Sequence, residues 1–316
     1  RINSAFFLQQ YYNIMFSLIK LEIKHAEGAH MDSIVLKSFG KINLGLDVVR
    51  RRPDGYHEVR MIMQTVGLCD TLVMKKTAGK AVTMRCDLSF LPTDRKNLVY
   101  QAVELMKEKY HISSGITVDL KKRIPVAAGM AGGSSNCAAA IKGMNELFGL
   151  NLSKEEMCEI GVLLGADVPY CIWGGTALAE GIGEKLTRIP PIPDCWILIA
   201  KPGISVSTAF AYKNLKLDQL ERHPDIDGMI RDLEEQNLDG ICSKLENVLE
   251  TVTIPKHPII RELKEHLLEH GAEGALMSGS GPTVFGIYKE KRTARKALES
   301  LRSIQDVKQA YVVEPV

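Results

Sequence analysis

The stretch Pro125-Val126-Ala127-Ala128-Gly129-Met130-Ala131-Gly132-Gly133-Ser134-Ser135-Asn136 follows a short apolar segment and runs into an alanine-rich one. Glycines and small residues crowd here more densely than a packed element needs. Glycine permits positive φ and removes the Cβ that would hold a ligand away from the backbone. Several N–H groups can then converge on one anion, and a helix starting near Ser134 adds its positive end. A tight turn with close helix–sheet packing is the plainer alternative. Two familiar phosphate loops fit poorly. The P-loop needs Gly-Lys-Ser/Thr after its glycines, and no lysine follows here. The dinucleotide fingerprint Gly-x-Gly-x-x-Gly is not given by Gly129, Gly132 and Gly133.

Outward from the loop, alternation predicts strands over 33–39, 43–49 and 58–66, with the turn Pro53-Asp54-Gly55 joining the last two. Segments 71–75 and 81–86 read as the continuation of an antiparallel meander. Apolar spacing predicts an amphipathic helix over 97–110. A strand over 116–120 feeds the loop, and a helix is expected over 134–148. Ser153-x-x-Glu156 is a capping box opening a helix that ends at Gly165. Pro190, Pro191 and Pro193 mark a boundary. Beyond it come a strand over 196–200 and helices over 207–214, 225–235 and 258–270. Strands over 275–278 and 283–288 follow, joined by a second glycine turn, then a helix over 292–303 and a strand over 309–314. The mixture without strict alternation predicts α+β in both of two domains, 31–189 and 190–316. Residues 1–30 read as a leader, vector-derived or upstream, because Gly28-Ala29-His30-Met31 looks like a cloning junction.

The net charge is +2 over 316 residues, which gives no reason to expect nucleic acid or an anionic membrane as partner. No apolar run reaches membrane-spanning length. The 7 cysteines are scattered, without Cys-x-x-Cys, which argues for free thiols in a reducing compartment, the cytoplasm.

The pattern Pro-x-x-x-Gly-Met-x-Gly-Gly-Ser-Ser-Asn closely resembles the ATP loop of the galactokinase, homoserine kinase, mevalonate kinase and phosphomevalonate kinase (GHMP) superfamily. Gly40-Lys41-Ile42-Asn43-Leu44-Gly45-Leu46 resembles its N-terminal substrate strand, and Met277-Ser278-Gly279-Ser280-Gly281-Pro282-Thr283-Val284-Phe285-Gly286 its C-terminal glycine motif. Ala127-Ala128 and Met130-Ala131 stand where many relatives carry more glycine and a leucine. Arg52-Pro53-Asp54-Gly55-Tyr56-His57-Glu58 and Gly165-Ala166-Asp167-Val168-Pro169-Tyr170 resemble the branch whose alcohol substrate is a cytidine diphosphate methylerythritol. The resemblance runs from about Met31 to the C-terminus.

The resemblance implies a two-domain GHMP kinase fold: a ribosomal protein S5 domain 2-like N-terminal domain and a ferredoxin-like C-terminal one. It implies ATP with Mg²⁺, a small-molecule substrate, and a monomer or weak homodimer. Pro125 to Ser135 would hold the nucleotide phosphates, with the Ser134 and Ser135 hydroxyls reaching phosphate or metal. The metal's own seat is not readable. Asp167 would accept the substrate hydroxyl proton; on its own it reads as a loop or cap aspartate with Pro169 fixing an extended exit. Lys41, alone an unremarked strand lysine, would stand opposite Asp167 and offset charge on the transferred phosphoryl. Asn43 would bind substrate, Tyr56 would stack on the cytosine and His57 would bond its edge. Tyr212 would form the other stacking face, with Phe210 its competitor. Asn97 reads as a helix cap, Gly279-Ser280-Gly281 as a hairpin turn or a wall of the site, and His266 with His270 as part of a solvated helix face. Another GHMP kinase, for homoserine or mevalonate, and a nucleotide-binding protein without transferase activity are the alternatives.

Overall fold

Strand β1 (Ser33–Arg51), which carries Lys41, is a single element where two strands are expected. Likewise β2 (His57–Thr77) absorbs the segments expected at 58–66 and 71–75. The two pair antiparallel, with register shifts between Phe39 and Lys41 and between Asn43 and Gly45. Bulges continue a strand while re-aiming its side chains, so an interrupted alternation is what the sequence shows. The pair brackets Lys41 and Asn43, both buried. The structure, a computed structural model, describes residues 31–304 and 306–316; the expected leader 1–30 lies outside the described residues.

Strand β3 (Val82–Cys86) lies parallel to β4 (Gly115–Lys121), not antiparallel as expected. The cause is helix α1 (Leu98–Lys109), which crosses between them; parallel neighbours need such a crossover. A hairpin that the sequence reading lacks, β5 (Thr176–Gly181) and β6 (Lys185–Arg188), adds to β2. Together with the two-residue β8 (Glu246–Asn247), parallel to β1, these form a seven-stranded sheet. A second, antiparallel sheet of four strands runs in the order β11 (Val307–Val313), β7 (Trp196–Pro202), β10 (Val284–Tyr288), β9 (Gly274–Met277).

Helix α2 (Gly132–Phe148) starts directly from the glycine loop. Its small face lets it lie close on the sheet: a Cβ on Gly143 would come within 2.5 Å of Met74 Sδ. Helix α3 (Lys154–Val162) opens with the expected capping box and stops at Val162, short of Gly165. Helix α4 (Val168–Trp173) replaces the expected extended exit after Asp167. Proline lacks only an N–H that the first helical turn leaves unpaired anyway, so Pro169 starts this helix instead of preventing it. In the second half lie α5 (Thr208–Asn214), α6 (Ile226–Glu234), α7 (Leu238–Ser243), α8 (Glu250–Lys256), α9 (Ile259–Glu269) and α10 (Lys291–Ser300).

One core sits under α1 and α2, built on Val99, Met106, Val118 and Ile141. Two others join residues of both sheets, such as Met63 with Leu198 and Ile42 with Phe285. Full burial of each such side chain contributes about 1.5–3 kcal/mol. All seven cysteines are free. Among the described residues no helix is long and apolar enough to cross a membrane.

Candidate active site

The loop before α2 is wound so that its backbone faces outward. Ala127, Gly129 and Ala131 take φ of 50°, 72° and 53°. Alanine in that region is strained, so the surroundings must impose the shape. Ala131 caps α2 without a side-chain hydrogen bond, leaving the N–H groups of Gly132, Gly133 and Ser134 as the helix's unmatched donors. A Cβ on Gly133 would meet only Leu98, at 3.9 Å. The loop therefore presents open backbone to a cavity of about 1350 Å³.

Three contacts hold the loop. Lys41 N–H donates to Met130 O at 3.1 Å, and Ser278 Oγ donates to Gly129 O at 2.9 Å. A Cβ at Gly129 would stand 2.1 Å from Ser278 O, so no other residue fits there. The third contact is a buried ion pair beneath the loop. Asp70, fully buried, accepts from Arg123 N at 2.6 Å, Ile124 N at 2.8 Å and Asn136 Nδ2 at 2.8 Å. It also accepts from Lys122, whose ammonium donates to Asn136 Oδ1 at 3.0 Å. Asn247 Nδ2 braces the second glycine turn through Met277 O and Gly279 O, both at 2.8 Å.

Lys41 and Asp167 meet across this cavity, 3.9 Å apart between Nζ and Oδ2. Lys41 Nζ donates to Asn43 Oδ1 at 2.7 Å, and Asn43 Nδ2 rests on Met61 Sδ at 3.2 Å. Asp167 is the residue before α4, yet its carboxylate makes no cap bond. The group is thus free to face the cavity beside the ammonium, with a third of its side chain exposed (32%).

The far end of the cavity is aromatic. His57 and Tyr212 face one another at 5.3 Å between ring centroids, tilted by 40°. Burial and the nearby Arg51 hold the His57 pKa below its usual value, so the imidazole is neutral at pH 7. Burial, then Asp167, raises the Tyr212 phenol. Tyr56 reaches the same cavity largely exposed, at 61%. Phe210 points elsewhere, under Lys256 Nζ at 3.8 Å from its centroid. Between the competing aromatics, Tyr212 is the one that lines the cavity.

Other expected residues fall into place or out of it. Pro125 to Ser134 line the cavity. Ser135 does not: it is buried, and its hydroxyl donates to Phe39 O at 2.6 Å. Asn97 caps α1, accepting from Val99 N at 2.9 Å, and also borders the cavity. Gly279 and Ser280 form part of its wall, with Ser280 Oγ 3.0 Å from Thr208 Oγ1. His266 and His270 stack on each other at 4.0 Å; His266 Nε2 pairs with Ser300 Oγ and His270 Nδ1 with a backbone carbonyl. Among the described residues no cluster of three or more His, Cys, Asp or Glu is arranged to hold a metal. Sequence reasoning missed Asp70, Lys122 and Asn136. The one signal was Asn136 at the end of the glycine loop, a polar residue directly before the apolar run Cys137 to Ile141.

Residues 97–175 match the family model for the N-terminal domain of GHMP kinases, and residues 226–305 the model for their C-terminal domain. The 4-diphosphocytidyl-2-C-methyl-D-erythritol kinase of Lachnoclostridium phytofermentans is 55% identical over 267 residues, covering 84% of this chain and 92% of that protein. The protein of the same name in Lachnospira eligens is 52% identical over 284 residues, covering 90% of this chain and 99% of its own. A crystal structure of a 4-(cytidine 5'-diphospho)-2C-methyl-D-erythritol kinase is similar at a TM-score of 0.76 and 29% identity, covering 89% of this chain and 99% of that one.

Proposed function

The chain belongs to the GHMP kinases, among the 4-diphosphocytidyl-2-C-methyl-D-erythritol kinases, and on that footing we propose what its own residues do. The reaction is ATP-dependent phosphorylation of the 2-hydroxyl of 4-diphosphocytidyl-2-C-methyl-D-erythritol, a step of the non-mevalonate route to isoprenoid precursors. The observation that carries this reading is the Lys41–Asp167 pair, 3.9 Å apart, in the same cavity as the open loop.

ATP, when bound, supplies an electrophilic γ-phosphorus and ADP as leaving group. The loop backbone from Ala127 to Ser134 matches a chain of phosphates: open N–H donors, a helix start, and no carboxylate side chain to repel them. Ser134 is the loop hydroxyl left for phosphate or Mg²⁺, since Ser135 is bonded to Phe39. Magnesium keeps several waters and needs few protein ligands, which suits a site without an acidic cluster. Asp167 takes the proton of the substrate hydroxyl as its oxygen bonds to the γ-phosphorus and the bond to the bridging β–γ oxygen breaks. Lys41 orients the hydroxyl and offsets the charge that builds on the phosphoryl oxygens. Asn43 holds the Lys41 ammonium in place. Neutral His57 reads the cytosine edge while Tyr56 and Tyr212 flank the ring.

We further place the protein in the cytoplasm as a monomer or weak homodimer, with no nucleic-acid partner, in keeping with free thiols and a net charge of +2. The test of function is turnover of the cytidine substrate beside homoserine and mevalonate, read as ADP release and product mass. Phosphorylation of the cytidine substrate alone is expected; activity confined to the other alcohols would overturn the assignment.

A further inference from the structure

Asp167 stands at the start of a six-residue helix, α4, and so short a helix does not hold its own position. Something else must fix where the carboxylate stands relative to Lys41. The candidate is Tyr170, one turn along α4 and buried. Its hydroxyl donates to Gly175 O at 2.7 Å and lies 2.9 Å from Thr65 Oγ1. A phenol has one hydrogen. With that hydrogen on Gly175 O, Thr65 is the donor in the second bond.

Thr65 is not an arbitrary partner. In the β1–β2 ladder it is the residue paired with Lys41. Its N–H also donates to Gly175 O, at 3.0 Å. One carbonyl thus gathers the strand that faces Lys41 and the helix that begins at Asp167. From Asp167 the path runs through α4 to the Tyr170 hydroxyl, to Thr65, and across the ladder to Lys41.

We propose that Tyr170 and Thr65 are positioning residues which set the separation of Lys41 and Asp167. The inference rests on the phosphotransfer reading above, in which that separation matters. A tyrosine kept only to fill the core would need its ring and not its hydroxyl, because phenylalanine occupies nearly the same volume. A positioning role needs the hydroxyl.

The decisive experiment compares Tyr170→Phe, Thr65→Val and Thr65→Ser with wild type in the full chain. Readouts are kcat, both KM values and thermal unfolding, with Asp167→Asn alongside. Small displacements of catalytic groups cost up to ~100-fold. We expect kcat to fall about 10- to 100-fold in Tyr170→Phe and Thr65→Val, both KM values to stay within about 3-fold, and Thr65→Ser to recover most of the loss. Wild-type kcat in Tyr170→Phe, or a loss that merely follows the unfolded fraction, overturns the inference. Should Tyr170→Phe fold poorly, Thr65→Val against Thr65→Ser decides on the same terms. If Asp167→Asn is inactive while the Tyr170 and Thr65 variants work normally, only this inference falls. If Asp167→Asn turns over like wild type, the catalytic reading falls and this inference with it.

Discussion

Lys41 Nζ stands 3.9 Å from Asp167 Oδ2 and gives its short hydrogen bond, 2.7 Å, to Asn43 Oδ1. The distance is too long for a hydrogen bond and short enough for a strong field. The ammonium is fixed by one neighbour and faces another across a gap. A substrate hydroxyl can enter that gap and touch both charges, with no existing bond between them to break.

From this arrangement, Asp167→Asn and Lys41→Met should each lower kcat by about 10²- to 10⁴-fold. KM for ATP should change by less than about 3-fold, because neither side chain belongs to the loop. Steady-state kinetics with both substrates varied checks the split. A large rise in KM for ATP at unchanged kcat would remove both groups from the chemistry.

The two loop glycines should separate stability from binding. Gly129→Ala drives a methyl to within 2.1 Å of Ser278 O and should destabilise the protein by more than about 1 kcal/mol, visible as a lower Tm. Gly133→Ala meets only Leu98 at 3.9 Å and replaces a helical glycine, so Tm should hold or rise slightly. Its methyl enters the open face, and KM for ATP should increase. Equal Tm values for the two variants would contradict the packing described.

Asp70→Asn leaves the Lys122 ammonium buried without its counter-charge. Breaking a buried pair in this way costs about 3–5 kcal/mol. The double variant Asp70→Asn with Lys122→Met should regain part of that stability, since the orphaned charge is gone. Denaturant unfolding of the three variants tests this; no recovery in the double variant would show the pair to be uncoupled.

His57 should give cytidine recognition an acid limb. Its pKa lies below the usual value because burial and Arg51 disfavour the proton. The neutral ring, with one acceptor nitrogen, therefore prevails at pH 7 and above. As pH falls through the depressed pKa the ring gains a proton and loses that acceptor. KM for the cytidine substrate should be flat above pH 7 and rise about 3- to 10-fold in acid, with KM for ATP unchanged. His57→Gln should abolish the rise.

Tyr212→Ala should raise KM for the cytidine substrate, because stacking contributes about 1–3 kcal/mol per base. Phe210→Ala should not, since Phe210 packs under Lys256. Similar KM values for the two variants would mean that Tyr212 does not meet the base.

What could be read in the sequence follows the range of each interaction. The glycine loop, the Ser153–Glu156 box and the Asn97 cap are local, and their residues lie within one turn of each other. The α+β class follows from element order. The meeting of Lys41 and Asp167 comes only from the family resemblance, because nothing local links residues 126 positions apart. The bulges beside Gly40 and Gly45 make one strand look like two. Pro169 reads as a break because a helix-starting and a helix-ending proline look alike until the next turn is seen. Asp70 remains unread for a further reason: its four donors come from two stretches, 122–124 and Asn136, both more than 50 positions away, and only the fold assembles them.

The two-residue strand Glu246–Asn247 has a consequence for how this enzyme can be divided. It lies along β1 at Gly45 and Leu46, while at the other end of the chain Val316 N–H donates to Thr65 O at 3.0 Å and Gly67 N–H to Glu314 O at 2.8 Å. Late residues thus finish the sheet that early residues begin, on both flanks of Lys41. A fragment ending at the proline boundary would carry bare strand edges, which invite self-association. The glycine loop is no more a transplantable module, since Ser278 of the second half holds it at Gly129.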